Sequence, residues 1–293
     1  RFCLYNSSPM HMIVDVQGFF LPSRLADSKA TKFTPFSPSR VLDTRKVGGK
    51  VAASALKEVA VNGVLKDAVA ILTNLTVTGT SSEGYLAGDS CTKLSSNAPD
   101  SSNLNFSSQD TVANLAVVNL GQMSQGLGFC TWANQELHQI VDIQGVFTPG
   151  ASGMWGFNLE PQRRLVDTRK CVTDCAEVFR PGAMIKLKAP AGASAVLVNL
   201  TLTDAANSSF VIADRCSTLM PSTETPSNAN VTVGRVAANL AVVPVDVDGS
   251  FCVYTSSATR VIVDIQGTFS PSADLRFIPV SSVRRFDSRG MAN

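Results

Sequence analysis

Residues 129–147 read FCTWANQELHQIVDIQGVF, and residues 251–269 read FCVYTSSATRVIVDIQGTF. A third version, FCLYNSSPMHMIVDVQGFF, occupies residues 2–20. Each is an apolar run broken by one carboxylate and closed by Gln-Gly and an aromatic ring. Opening segments stand ahead of the first two: SRVLDTRK (39–46) and RRLVDTRK (163–170). SSVRRFDSRG (281–290) is a third opening. These motifs bracket two copies of one unit, 33–149 and 155–271. Residues 1–22 then read as the closing strands of a truncated repeat, and 275–293 as the opening strand of a further one. The chain is expected to be a window on a tandem array. Units of about 120 residues can each bury a core of their own, unlike short solenoid repeats.

Copy two shows the element pattern most clearly. Strand composition marks 163–169, 184–189, 195–203, 208–214, 227–233, 237–245, 251–256 and 260–269. In 184–189, Met184, Lys186 and Lys188 alternate with Ile185, Leu187 and Ala189, as a half-buried strand requires. Asp248-Gly249 supplies a hairpin turn. About eight short strands, with no long segment of helical period, predict an all-β fold: tandem antiparallel β-sandwiches, jelly-roll-like. The connections at 148–155 and 270–277 are short, which predicts a stiff rod of units.

Seven cysteines sort by their places in the repeat. Cys91 and Cys130 in copy one match Cys216 and Cys252 in copy two, so each pair is expected to close a disulfide within its unit. Cys171 and Cys175 form a third, local pair. Cys3 matches Cys130 and Cys252, with its natural partner upstream of residue 1. Three disulfides point to an oxidising compartment. Scarce histidine and the wide cysteine spacing argue against zinc.

Two polar motifs recur. Asp-(Thr/Ser)-Arg opens each unit, and Asp-(Ile/Val)-Gln-Gly closes it. Asp142 and Asp264 follow apolar runs, and a carboxylate so placed needs a partner. The economical expectation is that Arg45 pairs with Asp142 and Arg169 with Asp264, which makes first and last strands neighbours. The Gly after Gln suggests a bulge or a close approach. SSNLNF (101–106) matches PSNANV (226–231), so Asn105 and Asn230 recur, as do Asn114 and Asn239. These fit turn-tying asparagines. With Trp132 and Tyr254 as stacking platforms they are also candidate glycan contacts.

Charge is nearly balanced, 25 basic against 23 acidic residues in 293. No basic stripe suggests nucleic acid, and no run of 18 apolar residues suggests a membrane span. No nucleophile elbow, phosphate loop or dinucleotide fingerprint occurs. His138 is matched by Arg260, a poor exchange for a catalytic base. The expectation is a non-enzymatic protein with no cofactor and no metal.

The combined pattern R-(L/V)-(L/V)-D-T-R, N-L-T-(V/L)-T, S-N-(L/A)-N, A-N-L-A-V-V and I-V-D-(I/V)-Q-G-x-F resembles tandem repeats of secreted and cell-wall-associated proteins of actinobacteria and neighbouring groups. It covers nearly the whole chain, although the cysteine pairs depart from the plainest form of that repeat. The resemblance implies an extracellular or cell-surface, non-catalytic module. The function so read is a structural or surface-display repeat in a rod-like array or filament. Its partners would be neighbouring repeats of the same or identical chains. The alternative is a glycan- or cell-wall-binding adhesive module, with cell-wall polysaccharide as partner.

Overall fold

The computed structural model describes residues 2–64, 66–94, 97–150, 152–170, 179–222 and 225–290. The protein is all-β, and the described helical pieces are single 3-10 turns. The first strand is β1 (Ile13–Pro22). Copy one contains β2 (Thr31–Asp43), β3 (Leu56–Ala60), β4 (Ala70–Thr78), β5 (Gly84–Asp89), β6 (Leu104–Phe106), β7 (Val112–Asn119), β8 (Gly121–Met123), β9 (Gly126–Ala133) and β10 (His138–Pro149). Copy two contains β11 (Gly156–Asp167), β12 (Ala183–Lys188), β13 (Ala195–Thr203), β14 (Ser209–Asp214), β15 (Ala229–Val231), β16 (Ala237–Pro244), β17 (Ser250–Thr255) and β18 (Arg260–Ser270). The last strand is β19 (Leu275–Asp287).

Each copy is an antiparallel sandwich. In copy one β2-β10-β4-β7 faces β3-β9-β5-β6, with β8 on β9. Val59, Ile71, Leu75, Leu86, Phe129 and Val141 meet between the layers. In copy two β11-β18-β13-β16 faces β12-β17-β14-β15 around Val198, Leu200, Val211, Phe251 and Val263. The alternation read in 184–189 is visible in β12, where Ala183, Ile185 and Leu187 are buried and their neighbours exposed. Gly249 takes a φ of 79° in the turn before β17.

First and last strands of each copy are neighbours. β10 lies on β2 with Ile140 opposite Asp43, and β18 lies on β11 with Ile262 opposite Asp167. The two end segments repeat this pairing inside the single chain. β1 lies antiparallel on β19 with Ile13 opposite Asp287. In all three closing strands the register breaks at the Gln of Asp-x-Gln-Gly: Gln144 and Gln266 are bulged extra residues against β4 and β13, and the β1–β19 ladder is irregular at Gln17.

The three opening–closing pairs form a ring rather than a rod. Each opening strand pairs at its start with the next. Phe157 lies opposite Leu275, Phe277 opposite Thr31, and Phe33 opposite Trp155. Every phenylalanine thus faces the residue two places before the next one, which is the register of a threefold arrangement. Six rings close a circuit about it: Phe20–Phe157 at 4.4 Å, Phe157–Phe269 at 5.0 Å, Phe269–Phe33 at 4.8 Å, Phe33–Phe147 at 5.2 Å, Phe147–Phe277 at 4.5 Å and Phe277–Phe20 at 5.0 Å. Five of these contacts are tilted and Phe20–Phe157 is stacked, geometries that suit the aromatic quadrupole. The expected spacers at 148–155 and 270–277 are therefore not spacers. Pro149 ends β10, Trp155 is buried against the ring, and Leu275 begins β19. Burying their aromatic residues is worth more than leaving them as exposed linker.

The closing glycines are required by close approach. A Cβ on Gly18, Gly145 or Gly267 would overlap the rings of Phe277, Phe33 and Phe157 respectively, and the neighbouring carbonyl oxygens as well. Rigid backbone cannot yield as a flexible side chain can. Gly145→Ala is expected to destabilise the protein by about 1–3 kcal/mol, measured by denaturant unfolding. An effect near zero would show that the Phe33 ring can move aside.

Candidate functional site

The recurring polar residues gather in two places: the latch that closes each opening–closing pair, and the seam between copies. In each latch a bidentate arginine binds the closing-strand aspartate, but it is a different arginine from the one expected. Arg40 Nε donates to Asp142 Oδ1 at 2.8 Å and its Nη2 to Oδ2 at 3.1 Å. Arg164 does the same to Asp264 at 2.8 and 3.1 Å, and Arg284 to Asp15 at 2.9 and 3.1 Å. Arg45 and Arg169 instead bind the aspartate two residues earlier in their own motif, Asp43 and Asp167. Strand alternation is the reason. The arginine three residues before the motif aspartate sits directly opposite the closing-strand carboxylate (Arg40↔Asp142, Arg164↔Asp264, Arg284↔Asp15). The motif arginine lies past the strand end.

The central hydroxyl of the motif completes the latch. Thr44 Oγ1 accepts from the Gln139 amide at 2.9 Å, Thr168 Oγ1 from Val261 at 2.8 Å, and Ser288 Oγ from Met12 at 2.8 Å. The three latches differ in burial. The Asp142 side chain is 2% exposed, Asp15 9% and Asp264 24%. Burial pushes the Asp142 carboxyl up, against the pull of Arg40. The side-chain bonds from Arg45, Arg169 and Arg289 hold Asp43, Asp167 and Asp287 below the usual carboxylate range.

Cys91 bonds Cys130 and Cys216 bonds Cys252, in matching places with Cα atoms 4.8 Å apart. The expected pair of Cys171 and Cys175 lies outside the described residues. Cys3 is exposed and free. Each bridge sits in a small apolar cluster on the outer face of the second sheet: Leu94, Trp132 and Tyr85 in copy one, and Leu219, Phe210 and Tyr254 in copy two. Trp132 is 3% exposed and tilts against Tyr85 at 5.5 Å. It is no open stacking platform, because the segment after Cys91 covers it, with Tyr85 Oη donating to the Pro99 carbonyl at 3.2 Å. Tyr254 is half-buried beside Phe210.

The other asparagines divide by role. The first Asn of each Ser-Asn-x-Asn ties the neighbouring strand: Asn103 Oδ1 accepts from Gly88 at 2.6 Å and Asn228 Oδ1 from Ala213 at 2.7 Å. Asn105 and Asn230, the second of each, are peripheral. Asn105 is exposed opposite Tyr85, whereas the Asn230 side-chain amide is a buried donor without a partner. Asn230 lines a cleft of about 330 Å³ where Asp110–Ala113 of copy one meet Arg235–Ala238 of copy two. Among the described residues no three His, Cys, Asp or Glu side chains gather as a metal site would need.

At the seam Asn74 donates to the Ser227 carbonyl at 2.7 Å and accepts from Asn239 at 2.9 Å. Asn239 in turn accepts from the Leu115 amide at 2.8 Å. Two of the glutamines at the register breaks do the same work. Gln144 accepts from the Val242 amide of copy two at 3.3 Å, and Gln17 from Val117 of copy one at 3.0 Å. A bulge turns one side chain out of the alternation, here onto the adjoining copy's backbone. Sequence reasoning assigned these glutamines no role. Their recurrence beside glycine was the available signal.

Asp142→Ala should cost about 3–5 kcal/mol, because it removes the bidentate partner of Arg40 in a buried latch and leaves it only the looser contact to Asp43 at 3.6 Å. The same change at the more exposed Asp264 should cost clearly less. Equal losses in denaturant melts would refute the burial argument. For Asp167 the folded state stays ionised to lower pH than the unfolded chain. Its contribution is therefore present above an unfolded value of about 3.9 and is lost as pH falls through the folded one. Asp167→Asn should flatten the loss of stability between roughly pH 4 and pH 2, read from acid titration of the fold. Reduction of the two bridges should remove about 2–4 kcal/mol each. Mass-mapped thiols and thermal melts with and without reductant will test this.

No family model matches this chain, and no curated protein does. The infectious bursal disease virus Gx strain structure is 10% identical, covering 94% of this chain and 74% of its own, with a TM-score of 0.18. The N-terminal CBM22-1-CBM22-2 tandem domain of Paenibacillus barcinonensis Xyn10C is 11% identical, covering 83% of this chain and 98% of its own, with a TM-score of 0.17. Likeness this slight carries no argument about fold or function.

Proposed function

We propose that the chain is an extracellular structural module: a disulfide-braced β scaffold that displays or spaces other parts at a cell surface and does no catalysis. One observation carries the reading. The opening and closing motifs that recur in all three places hold the structure together. The arginine, aspartate and hydroxyl close the latches, the glycine admits the ring, and phenylalanine builds the centre. The bridges at matching sites suit oxidising surroundings.

The rival reading, a glycan-binding module, loses its main support because Trp132 is buried. Among the expected contacts, Asn230 lines a cleft with room for a sugar.

Expression in a host that exports the protein tests the reading. We expect the chain on the outside of intact cells, labelled by an impermeant reagent, with Cys216 and Cys252 oxidised. Cytoplasmic retention with both thiols reduced would overturn it. Titration with peptidoglycan and polysaccharide fragments should give no saturable binding. Saturation abolished by Asn230→Ala would establish the glycan reading instead.

A further inference from the structure

We propose that the Cys216–Cys252 bridge of copy two is a thiol-exchange site, open to a small anionic thiol, while the matching Cys91–Cys130 bridge of copy one is shielded from the same attack. This goes beyond the structural-module reading and does not depend on it.

The two bridges occupy equivalent places, so their surroundings compare residue by residue. The first difference is access. Cys216 lines an open cleft of about 770 Å³ with Lys186, Arg215, Ser217, Asp246 and Asp248. In copy one a longer hairpin covers the bridge. β8 lies on β9, and Met123 Sδ stands 3.5 Å from Cys91 Sγ. A Cβ on Gly128 would strike the Met123 thioether, so that side chain lies close over the strand. Copy two passes from β16 to β17 through the short turn 245–249, which has no counterpart of Met123. Val247 in that turn projects into solvent.

The second difference is charge. Residues directly opposite one another on paired strands share a face. Lys186 lies opposite Cys252, whereas Glu58 lies opposite Cys130. The neighbour on the other side is a carboxylate in both copies, Asp214 opposite Cys252 and Asp89 opposite Cys130. Arg215 precedes Cys216 where Ser90 precedes Cys91. Copy two thus has two cations where copy one has a carboxylate and a hydroxyl. Asp246 and Asp248 also line the cleft, but both are engaged. Asp246 accepts from the Ser217 amide and hydroxyl, and Asp248 is shared between Lys186 and Lys188.

A thiolate attacks the sulfur it can reach, and the sulfur whose thiolate is better stabilised leaves. Cys216 is part-exposed and Cys252 is buried. The incoming thiolate bonds to Cys216 Sγ and the Cys216–Cys252 bond breaks. Its electron pair leaves on Cys252 Sγ, beside Lys186, and takes a proton from water. The product is a mixed disulfide on Cys216 and a thiol at Cys252, with no further oxidant or reductant consumed.

The test uses the full chain carrying Cys3→Ser, which removes the exposed free thiol, and reduced glutathione as the probe. Timed samples are quenched in acid, alkylated and mass-mapped. We expect glutathione on Cys216 and an alkylated Cys252, formed roughly tenfold faster than any change at Cys91 or Cys130. Lys186→Glu alters an exposed side chain and gives copy two the charge of copy one, so it should remove most of that preference. Met123→Ala, read in the same way, should quicken opening of the copy-one bridge. Equal rates at the two bridges, glutathione on Cys252, or rates unmoved by both variants would overturn the proposal. So would opening that keeps pace with global amide exchange, because the bridge would then be reached only in the unfolded chain.

Discussion

Six phenylalanine rings at the centre hold the arrangement on which everything else depends. Each opening strand brings one ring and each closing strand another, and the circuit closes only if all three strand pairs converge. The close approach demands a residue without a side chain at Gly18, Gly145 and Gly267. The register breaks at the glutamine before each glycine. That slip lets the strand turn into the ring, and for Gln17 and Gln144 it aims a polar side chain at the adjoining copy. Core and seam are thus two results of the same local irregularity.

The polar latches act at a different level. The arginine–aspartate bond spans opening and closing strands and fixes which residues lie opposite one another. A slip of one residue would send every side chain of the strand to the wrong face. Burial then grades the latches. The one facing the filled seam is dry, while its equivalent in copy two stands partly in water. The chemical groups are the same in both. Their neighbours set the difference in energy.

Much of this was legible in the residues. The eight strands of copy two, the pairing of first with last, the two described disulfides and the irregularity at Gln-Gly all follow from alternation, turn residues and internal repetition. The latch partner was misread because attention fell on the arginine of Asp-Thr-Arg. Arg40, Arg164 and Arg284 recur three residues before the motif aspartate, on the strand, and that spacing was the better signal. The rings were equally visible: Phe33, Phe157 and Phe277 precede those arginines by a constant interval, and Phe20, Phe147 and Phe269 follow the closing aspartates by another. Trp132 was misjudged because an aromatic residue beside a cysteine looks the same whether a loop covers it or not.

Sequence alone determined the unit: its strands, its covalent bridge, its bulge and the adjacency of its ends. All of these arise from local periodicity or from positions repeated between copies. Only the tertiary structure decided that the units close into a ring instead of a rod and that short connecting segments belong to the core. Those facts depend on where distant apolar surfaces meet, and a linear pattern of residues carries the appetite for burial without naming the surface that satisfies it.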